Sequence, residues 1–190
     1  GFLNASQVED VVGKVLKRDM SENQPICSND LQSSLDWDLL EDIKNQTRLT
    51  LENANIHING SEKIEISCHF GLENFLDTGA LIIDKVNREY CKKIIVMFQG
   101  QKHPVHHHIK KEEAFELLYG DCTLVLNGKE IELSLGKPVV IARGVKHSFS
   151  SQKGCVIEEI STTHVKGDSV YQNPEINKLR LEQRKIKVSI

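Results

Sequence analysis

Residues 100–120 read GQKHPVHHHIKKEEAFELLYG and hold four of the eight histidines of this 190-residue chain. Side chains alternate between the two faces of a β-strand. If residues 106–108 form a strand, His106 and His108 share one face and His107 lies on the other. Two imidazoles at this spacing can bind one metal ion, so the pattern predicts a short strand with a metal site on its inner face.

Two further side chains complete the predicted ligand set. Glu113 begins the apolar run Ala114–Leu118, and a tight turn before it would bring its carboxylate beside the two imidazoles. His147 begins another short run after the turn signal Arg143-Gly144, and an antiparallel barrel brings distant strands to the same interior point. Three neutral imidazoles and one carboxylate suit one divalent transition metal (Zn, Mn, Fe, Ni or Co) and leave positions open for substrate or water.

The chain around these residues is rich in strand signals. From about residue 55, alternating or β-branched runs recur about every ten residues, with turn signals such as Asn127-Gly128 between them. This spacing predicts an all-β fold, a small antiparallel β-barrel or sandwich. The predicted strands are Ile56–Ile58, Lys63–Phe70, Ala80–Val86, Lys93–Phe98, Ala114–Leu118, Thr123–Leu126, Lys129–Leu133, Pro138–Ala142, His147–Ser150 and Val156–Ser161.

The two ends of the chain differ from this pattern. Residues 1–54 are predicted to be an extension with one or two helices, residues 55–165 the barrel, and residues 166–190 a charged tail. A capping-box pattern and valines at helical spacing favour a helix over 6–18, although a strand over Val11–Leu16 fits the same residues. An apolar stripe predicts a second helix over 36–52. A solvated helix or an edge strand fits the tail.

Composition excludes several classes of partner. The chain carries 24 Lys+Arg against 27 Asp+Glu, a formal charge of −3, so we expect no nucleic-acid partner. No apolar run approaches the roughly 20 residues of a membrane helix, so we expect no membrane partner. Five scattered cysteines without a C-x-x-C pair indicate neither a disulfide framework nor a thiolate zinc site, and they fit a reducing cytoplasm.

Both histidine-containing stretches resemble the two sequence motifs of the cupin superfamily. Residues 100–120 match the first motif, G-x5-H-x-H-x4-E-x6-G, at every defined position. Residues 136–151, GKPVVIARGVKHSFSS, resemble the second motif, G-x5-P-x-G-x2-H-x3-N, with Ala142 in place of Pro and Ser151 in place of Asn. The resemblance implies a cupin barrel in which one metal ion is bound by His106, His108, Glu113 and His147.

A narrower resemblance extends over about residues 11–31 and 64–165. NREYCKKIIVMFQGQKHPVHHHIKKEEAFELLYGDCTL, followed by GVKHSFSS and EEISTTH, looks like the C-terminal cupin module of N-acetylneuraminate (sialic acid) synthase-like proteins and, more distantly, like D-lyxose isomerase-type cupins. VVGKVLKRDMSENQPICSNDL resembles an SAF (antifreeze-like) segment. The resemblance implies a metal-binding piece of a larger sugar or sialic acid biosynthesis protein, and an opening Gly-Phe-Leu without Met also fits a fragment.

Two classes of function follow. As an enzyme, the site would catalyse aldose–ketose isomerisation or epimerisation, in which the metal polarises a sugar carbonyl and a nearby base removes the adjacent proton. The candidate base is Glu158 or Glu159, because only one of two neighbouring strand residues faces the interior. The candidate polarising cation is Lys110 or Lys111.

As a binding module, the same site would sense a sugar or dimerise a synthase without chemistry. An interior acid or base beside the metal ligands separates the enzyme from the module. In either case Arg143 and His103 are candidate ligands for a sugar or sugar acid, Arg143 through a bidentate contact to an anionic group. Flat strand edges need covering, so we expect a homodimer.

Overall fold

The computed structural model describes residues 3, 15–16, 20–27, 31–32, 37–60 and 62–189. The chain divides into two units, Gly1–Ile43 and Lys44–Ile190. In the first unit, strand β1 (Val15–Leu16) pairs antiparallel with β2 (Leu31–Gln32). The remainder of the segment for which a helix over 6–18 or a strand was predicted lies outside the described residues.

The predicted second helix is α1 (Trp37–Asn53), which begins in the first unit and ends in the second. Its apolar stripe buries Leu40, Ile43, Thr47 and Leu51, at intervals of three or four residues. The strand predicted over Ile56–Ile58 is wrong, because these residues are irregular. The helix end explains this. Asn55 has a φ of 56°, and the Ile56 N–H donates back to the Leu51 carbonyl at 2.9 Å, so this N–H is used to cap α1.

The second unit is built from two antiparallel sheets. The strands of the larger sheet are β3 (Lys63–Ser67), β4 (Ala80–Asn87), β5 (Tyr90–Met97), β7 (Glu113–Gly120), β10 (Val139–Ile141), β12 (Cys155–Thr162) and β14 (Lys185–Val188). Those of the smaller sheet are β6 (His106–His108), β8 (Thr123–Leu126), β9 (Lys129–Glu132), β11 (His147–Ser150) and β13 (Ser169–Tyr171). Three short helices, α2 (Phe75–Thr78), α3 (Pro174–Lys178) and α4 (Leu181–Arg184), connect them, and a 3-10 turn (Leu72–Asn74) precedes α2.

The strand order follows from hairpins and crossovers between the sheets. It is β10-β7-β12-β5-β4-β3-β14 in the larger sheet and β13-β6-β11-β8-β9 in the smaller one. The hairpin β8–β9 has the predicted turn, with Asn127 at a φ of 48° and Gly128 at 85°. The all-β fold predicted from strand spacing is therefore confirmed.

Inward-facing side chains of both sheets form one apolar core. Its aromatic members Phe115 and Phe149 meet edge to face, with ring centroids 5.4 Å apart. The other buried members are Ala80, Ile95, Met97, Leu117, Cys122, Leu124, Leu133, Ile141, Cys155 and Ile157. This core lies beside His103 and the histidine of β11, because Phe149 stacks on the ring of His103 and Phe115 meets that of His147 edge to face.

The described residues of the predicted charged tail, 166–189, include two strands, and β14 is the kind of edge strand that the sequence allowed for this segment. β13 pairs with β6, with Tyr171 opposite His106, and β14 pairs with β3 at the edge of the larger sheet. The tail therefore lies against the histidine strand. None of the helices in the described part of the chain combines the length and apolar composition needed to cross a bilayer.

Candidate metal centre

Strands β6 and β11 bring three of the four predicted ligands together. They pair with His106 opposite His147, and alternation along β6 buries His106 and His108 while leaving His107 half-buried. One ring nitrogen from each of His106, His108 and His147 lies within 4.8 Å of the other two. Three buried imidazoles at this separation can share one ion.

Backbone carbonyls determine which nitrogen of two of these rings faces inward. The Nδ1 of His106 lies 3.0 Å from the Pro104 carbonyl oxygen, and the Nδ1 of His147 lies 3.0 Å from that of Val145. A carbonyl only accepts, so each Nδ1 carries the proton and each Nε2 presents a lone pair. Burial also holds the pKa of His106 well below its usual value, which keeps the ring neutral as a ligand must be.

Glu113 supplies the carboxylate of the site. Its Oε1 lies 2.9 Å from the Nε2 of His147 and 3.5 Å from the Nε2 of His108. Although both are buried, Glu113 Oε1 and His147 Nε2 make no hydrogen bond with any described group. Two lone-pair atoms so close without a proton between them repel each other, and a cation between them would satisfy both. The donor set therefore fits a divalent transition metal.

The third imidazole, that of His108, lies beside Asp168 and the first residue of β13, Ser169. His108 Nδ1 lies 3.8 Å from Asp168 Oδ2 and 3.5 Å from Ser169 Oγ. The Asp168 carboxylate also accepts from the backbone N–H groups of Lys110 and Lys111, each at 2.9 Å. A carboxylate behind a ligand histidine orients its ring. No spacing rule points to Asp168, which lies 55 residues beyond Glu113 in sequence.

A buried ion network extends from Glu113 into the barrel. Lys111 Nζ donates to Glu113 Oε2 at 2.5 Å and to Glu159 Oε1 at 2.7 Å. Lys93 Nζ lies 3.7 Å from the same Glu159 oxygen, and all four side chains are buried. Burial alone would raise the pKa of Glu159, but the ammonium groups of Lys93 and Lys111 hold it below its usual range. Glu159 is therefore an ionised carboxylate in the interior.

The structure separates the alternatives that the sequence left open for the catalytic pair. Glu159 faces the interior, whereas Glu158 lies on the outer face of β12 and pairs with Lys92 at 2.6 Å. Lys111 is buried in the network, and Lys110 is exposed. The positions of Glu158 and Lys110 thus do not fit the catalytic roles predicted for them, because neither side chain faces the candidate ligands.

The two predicted substrate ligands also differ in position. Arg143 is exposed, and its Nε donates to the Lys110 carbonyl at 2.6 Å, so it stabilises a loop outside the cavity. His103 is buried at the cavity wall, where its ring stacks on Phe149 at 4.6 Å. Its Nε2 lies 3.2 Å from His69 Nε2.

Sequence reasoning missed several residues around the ligands. His69 hydrogen bonds with Tyr171, whose ring stacks 5.3 Å from that of His106. Lys93 is the second buried cation of the network, beside Lys111. A usable signal existed for Lys93, a charged residue on the face of β5 that also carries Cys91, Ile95 and Met97. For Tyr171 the sequence offered no such signal, because the segment around it is polar.

Two cavities adjoin the site. A small one of about 50 Å³ is lined by three of the candidate ligands, His106, His108 and Glu113, and by His103, Lys111 and Glu159. A larger one of about 520 Å³ opens beside it, between β3, β13 and the C-terminal segment. The residues that line both are His164, Ser169, Tyr171 and Lys185.

Known proteins resemble this chain in sequence and in fold. No protein-family profile matches it. It is 27% identical to a D-lyxose/D-mannose isomerase of Thermosediminibacter oceani, with 74% of this chain and 94% of the relative covered. It is 26% identical to a D-lyxose ketol-isomerase of a Thermofilum species, with 75% and 96% covered.

Solved structures resemble the chain in fold. The L-ribose isomerase of Cellulomonas parahominis, solved with L-ribose, superposes with a TM-score of 0.60 at 14% identity, with 75% of this chain and 94% of that one covered. The L-ribose isomerase of Geodermatophilus obscurus gives 0.60 at 16% identity, with 76% and 95% covered. The chain therefore has the two-sheet, all-β cupin fold that its motifs predicted.

Proposed function

We propose that this chain is a metal-dependent sugar isomerase that interconverts an aldose and a ketose. The observation that carries the proposal is Glu159, a buried ionised carboxylate that is not a candidate metal ligand but is joined to one, Glu113, through Lys111. An interior base of this kind is expected in an isomerase and is not needed in a non-catalytic binding module. The similarity to D-lyxose/D-mannose isomerase supports the same conclusion.

The candidate ligands of the metal are His106, His108, Glu113 and His147. When bound there, a divalent transition metal supplies a Lewis acid that polarises the sugar carbonyl and makes the adjacent C–H more acidic. Lys111 occupies Glu113 Oε2 and so leaves Oε1 to face the imidazoles. Most of the walls of the small cavity are buried side chains.

Glu159 is the proposed base. In the aldose-to-ketose direction, its Oε2 accepts the proton from C2 and returns it to C1, while a proton passes from the C2 hydroxyl to the carbonyl oxygen. Lys111 at 2.7 Å and the hydroxyl of Ser161 at 3.3 Å donate to the other oxygen, Oε1, and hold the carboxylate in place. The two lysines keep the carboxylate ionised, which is the state that a base requires.

The test compares the two neighbouring glutamates of β12. Glu159→Gln should lower kcat for D-lyxose or D-mannose by about 10²–10⁴-fold, the usual contribution of a general base, and leave metal content unchanged. Glu158→Gln, on the outer face, should keep kcat within about twofold. Aldose–ketose turnover is measured on metal-loaded protein. Full activity in Glu159→Gln would refute the assignment of the base.

The alternative function is a non-catalytic sugar-sensing or dimerisation module of an N-acetylneuraminate synthase-like protein. It rests on the resemblance of residues 11–31 and of the cupin motifs, and it stays a prediction, as do the link to sialic acid biosynthesis, the homodimer and the cytoplasmic location. Metal-loaded protein without turnover of pentoses, hexoses or N-acetylated sugars would favour this alternative.

A further inference from the structure

The larger cavity is the natural place for the remainder of a substrate. The small cavity has about 50 Å³, well below the roughly 300 Å³ at which small-molecule sites begin. The larger one has about 520 Å³ and shares Tyr171 and Lys185 with it. If the proposed function holds, a sugar whose carbonyl end lies at the candidate ligands extends into the larger cavity.

Arg184 is a buried cation on the wall of this larger cavity. It is 8% exposed, and its Nε and Nη1 atoms are buried with no hydrogen-bond partner in the part of the chain that the structure describes. A buried guanidinium is costly unless an anion accompanies it. The observation therefore indicates a missing anionic partner.

The carboxylates that line the same cavity do not supply this partner. Glu62 pairs with Lys85 at 2.6 Å, and Glu65 pairs with Lys185 at 2.8 Å. Glu182 is exposed to solvent. The fourth carboxylate, Asp84, forms no ion pair with Arg184 among the described residues, and burial raises its pKa toward the neutral acid.

The position of Arg184 relates the cavity to the candidate metal centre. The Cζ atom of Arg184 lies 5.3 Å from the centroid of the Tyr171 ring. The Tyr171 ring in turn stacks on the ring of His106, with ring centroids 5.3 Å apart. The backbone of Arg184 is anchored, because the Cys68 N–H donates to the Arg184 carbonyl at 2.9 Å. The Tyr171 ring thus contacts both the guanidinium and a candidate ligand, His106.

We propose that Arg184 binds a phosphate or carboxylate group at the end of the sugar remote from the carbonyl. A guanidinium presents paired N–H donors that match both groups. Lys185, on the wall shared by the two cavities, is neutralised by its pair with Glu65, so the proposed contact to the anion rests on Arg184. The preferred substrate is then an anionic sugar, a sugar phosphate or a sugar acid, rather than the neutral sugar.

The experiment measures binding to the metal-loaded 190-residue chain by calorimetry. The ligands are D-lyxose and D-mannose, D-lyxose 5-phosphate and D-mannose 6-phosphate, and D-mannuronic acid. We expect the preferred anionic sugar to bind at least tenfold more tightly than its neutral parent. Arg184→Gln should remove this preference and leave the affinity for the neutral sugar within about twofold. Arg184→Lys should restore part of the preference, and Arg180→Gln, at an exposed position of the same segment, should behave as the wild type.

The set of sugars tested distinguishes the two possible anionic groups, phosphate and carboxylate. Tighter binding of the phosphates assigns a sugar phosphate, and tighter binding of the uronic acid assigns a sugar acid. Equal affinity of wild type for neutral and anionic sugars overturns the inference, and so does an equal loss of both in Arg184→Gln. Competition by inorganic phosphate in the wild type tests phosphate binding without any variant, and its absence together with no preference for the uronic acid also overturns it.

Failure of the proposed function gives a different result. Anionic sugars that bind through Arg184 without turnover would refute the isomerase and keep the anion site. Turnover of neutral sugars without any anion preference would refute the anion site and keep the isomerase.

Discussion

Adjacent residues in this protein have different environments because a strand turns successive side chains to opposite faces. Glu159 lies with Lys93 and Lys111 in the interior, while Glu158 pairs with Lys92 outside. The same rule separates the two buried histidines of β6 from His107. Glu158 and His107 therefore serve as controls for variants of Glu159 and His106.

The metal site is tested with the histidines of β6. His106→Ala should remove stoichiometric metal, because one of three clustered nitrogens is lost. His107→Ala should retain it, because the ring of His107 lies on the other face of the strand. Elemental analysis after desalting measures both. Metal retained at full stoichiometry in His106→Ala would rule out this ligand set.

The two neighbouring lysines give a second residue-scale prediction. Lys111→Met removes the donor that holds Glu113 Oε2 and leaves two buried carboxylates without it, so metal affinity should fall by about 10–100-fold. Lys110→Met changes an exposed side chain and should leave the affinity within about twofold. Competition with a chelator measures the dissociation constants. Equal affinities in the two variants would contradict the role of Lys111.

At the scale of elements, the first and last residues of the first histidine motif, Gly100 and Gly120, require glycine for different reasons. Both have left-handed backbone, with φ of 83° at Gly100 and 78° at Gly120. A Cβ at Gly100 meets no atom within 4 Å, whereas one at Gly120 overlaps the Gly154 carbonyl oxygen and lies 2.9 Å from Cys155 Cα. Gly120 therefore permits the close approach of β7 to the start of β12.

This difference predicts unequal destabilisation. Gly100→Ala should lower the free energy of unfolding by about 1–2 kcal/mol, the usual penalty of a left-handed backbone with a Cβ. Gly120→Ala should lower it by clearly more, because backbone must move as well. Urea unfolding of both variants measures the difference. Equal losses would show that the contact with Gly154 has no energetic role.

At the scale of the whole molecule, the C-terminal segment adds an edge strand to each of the two sheets around the site. β13 supplies Tyr171 and the turn before it supplies Asp168, while β14 extends the larger sheet and carries Lys185. These residues enclose imidazoles that must stay neutral. Stability of the metal-free protein is therefore linked to pH.

Burial lowers the pKa of His69 to about 3, against about 6.5 in an unfolded chain. Between these values the unfolded state binds more protons, so the free energy of unfolding should fall as pH decreases from about 6.5 toward 4.5. His69→Gln should reduce this slope by up to about 1.4 kcal/mol per pH unit. His57→Gln, at an exposed position, should leave it unchanged. Urea unfolding with chelator present gives the slopes, and equal slopes in wild type and His69→Gln would contradict the prediction.

How much of the site could be predicted depended on how far apart in sequence the interacting residues lie. Strand alternation and turn chemistry are local properties, so the sequence by itself determined the all-β fold, the Asn127-Gly128 hairpin, α1 and the candidate ligands His106, His108, Glu113 and His147. Only the tertiary structure decided between Glu158 and Glu159 and between Lys110 and Lys111. It also brought Asp168 and Tyr171 beside the candidate ligands and placed Arg184 on the wall of the adjoining larger cavity. The physical reason is that burial and charge pairing arise between strands far apart in sequence, and a local pattern does not contain the pairing of distant strands.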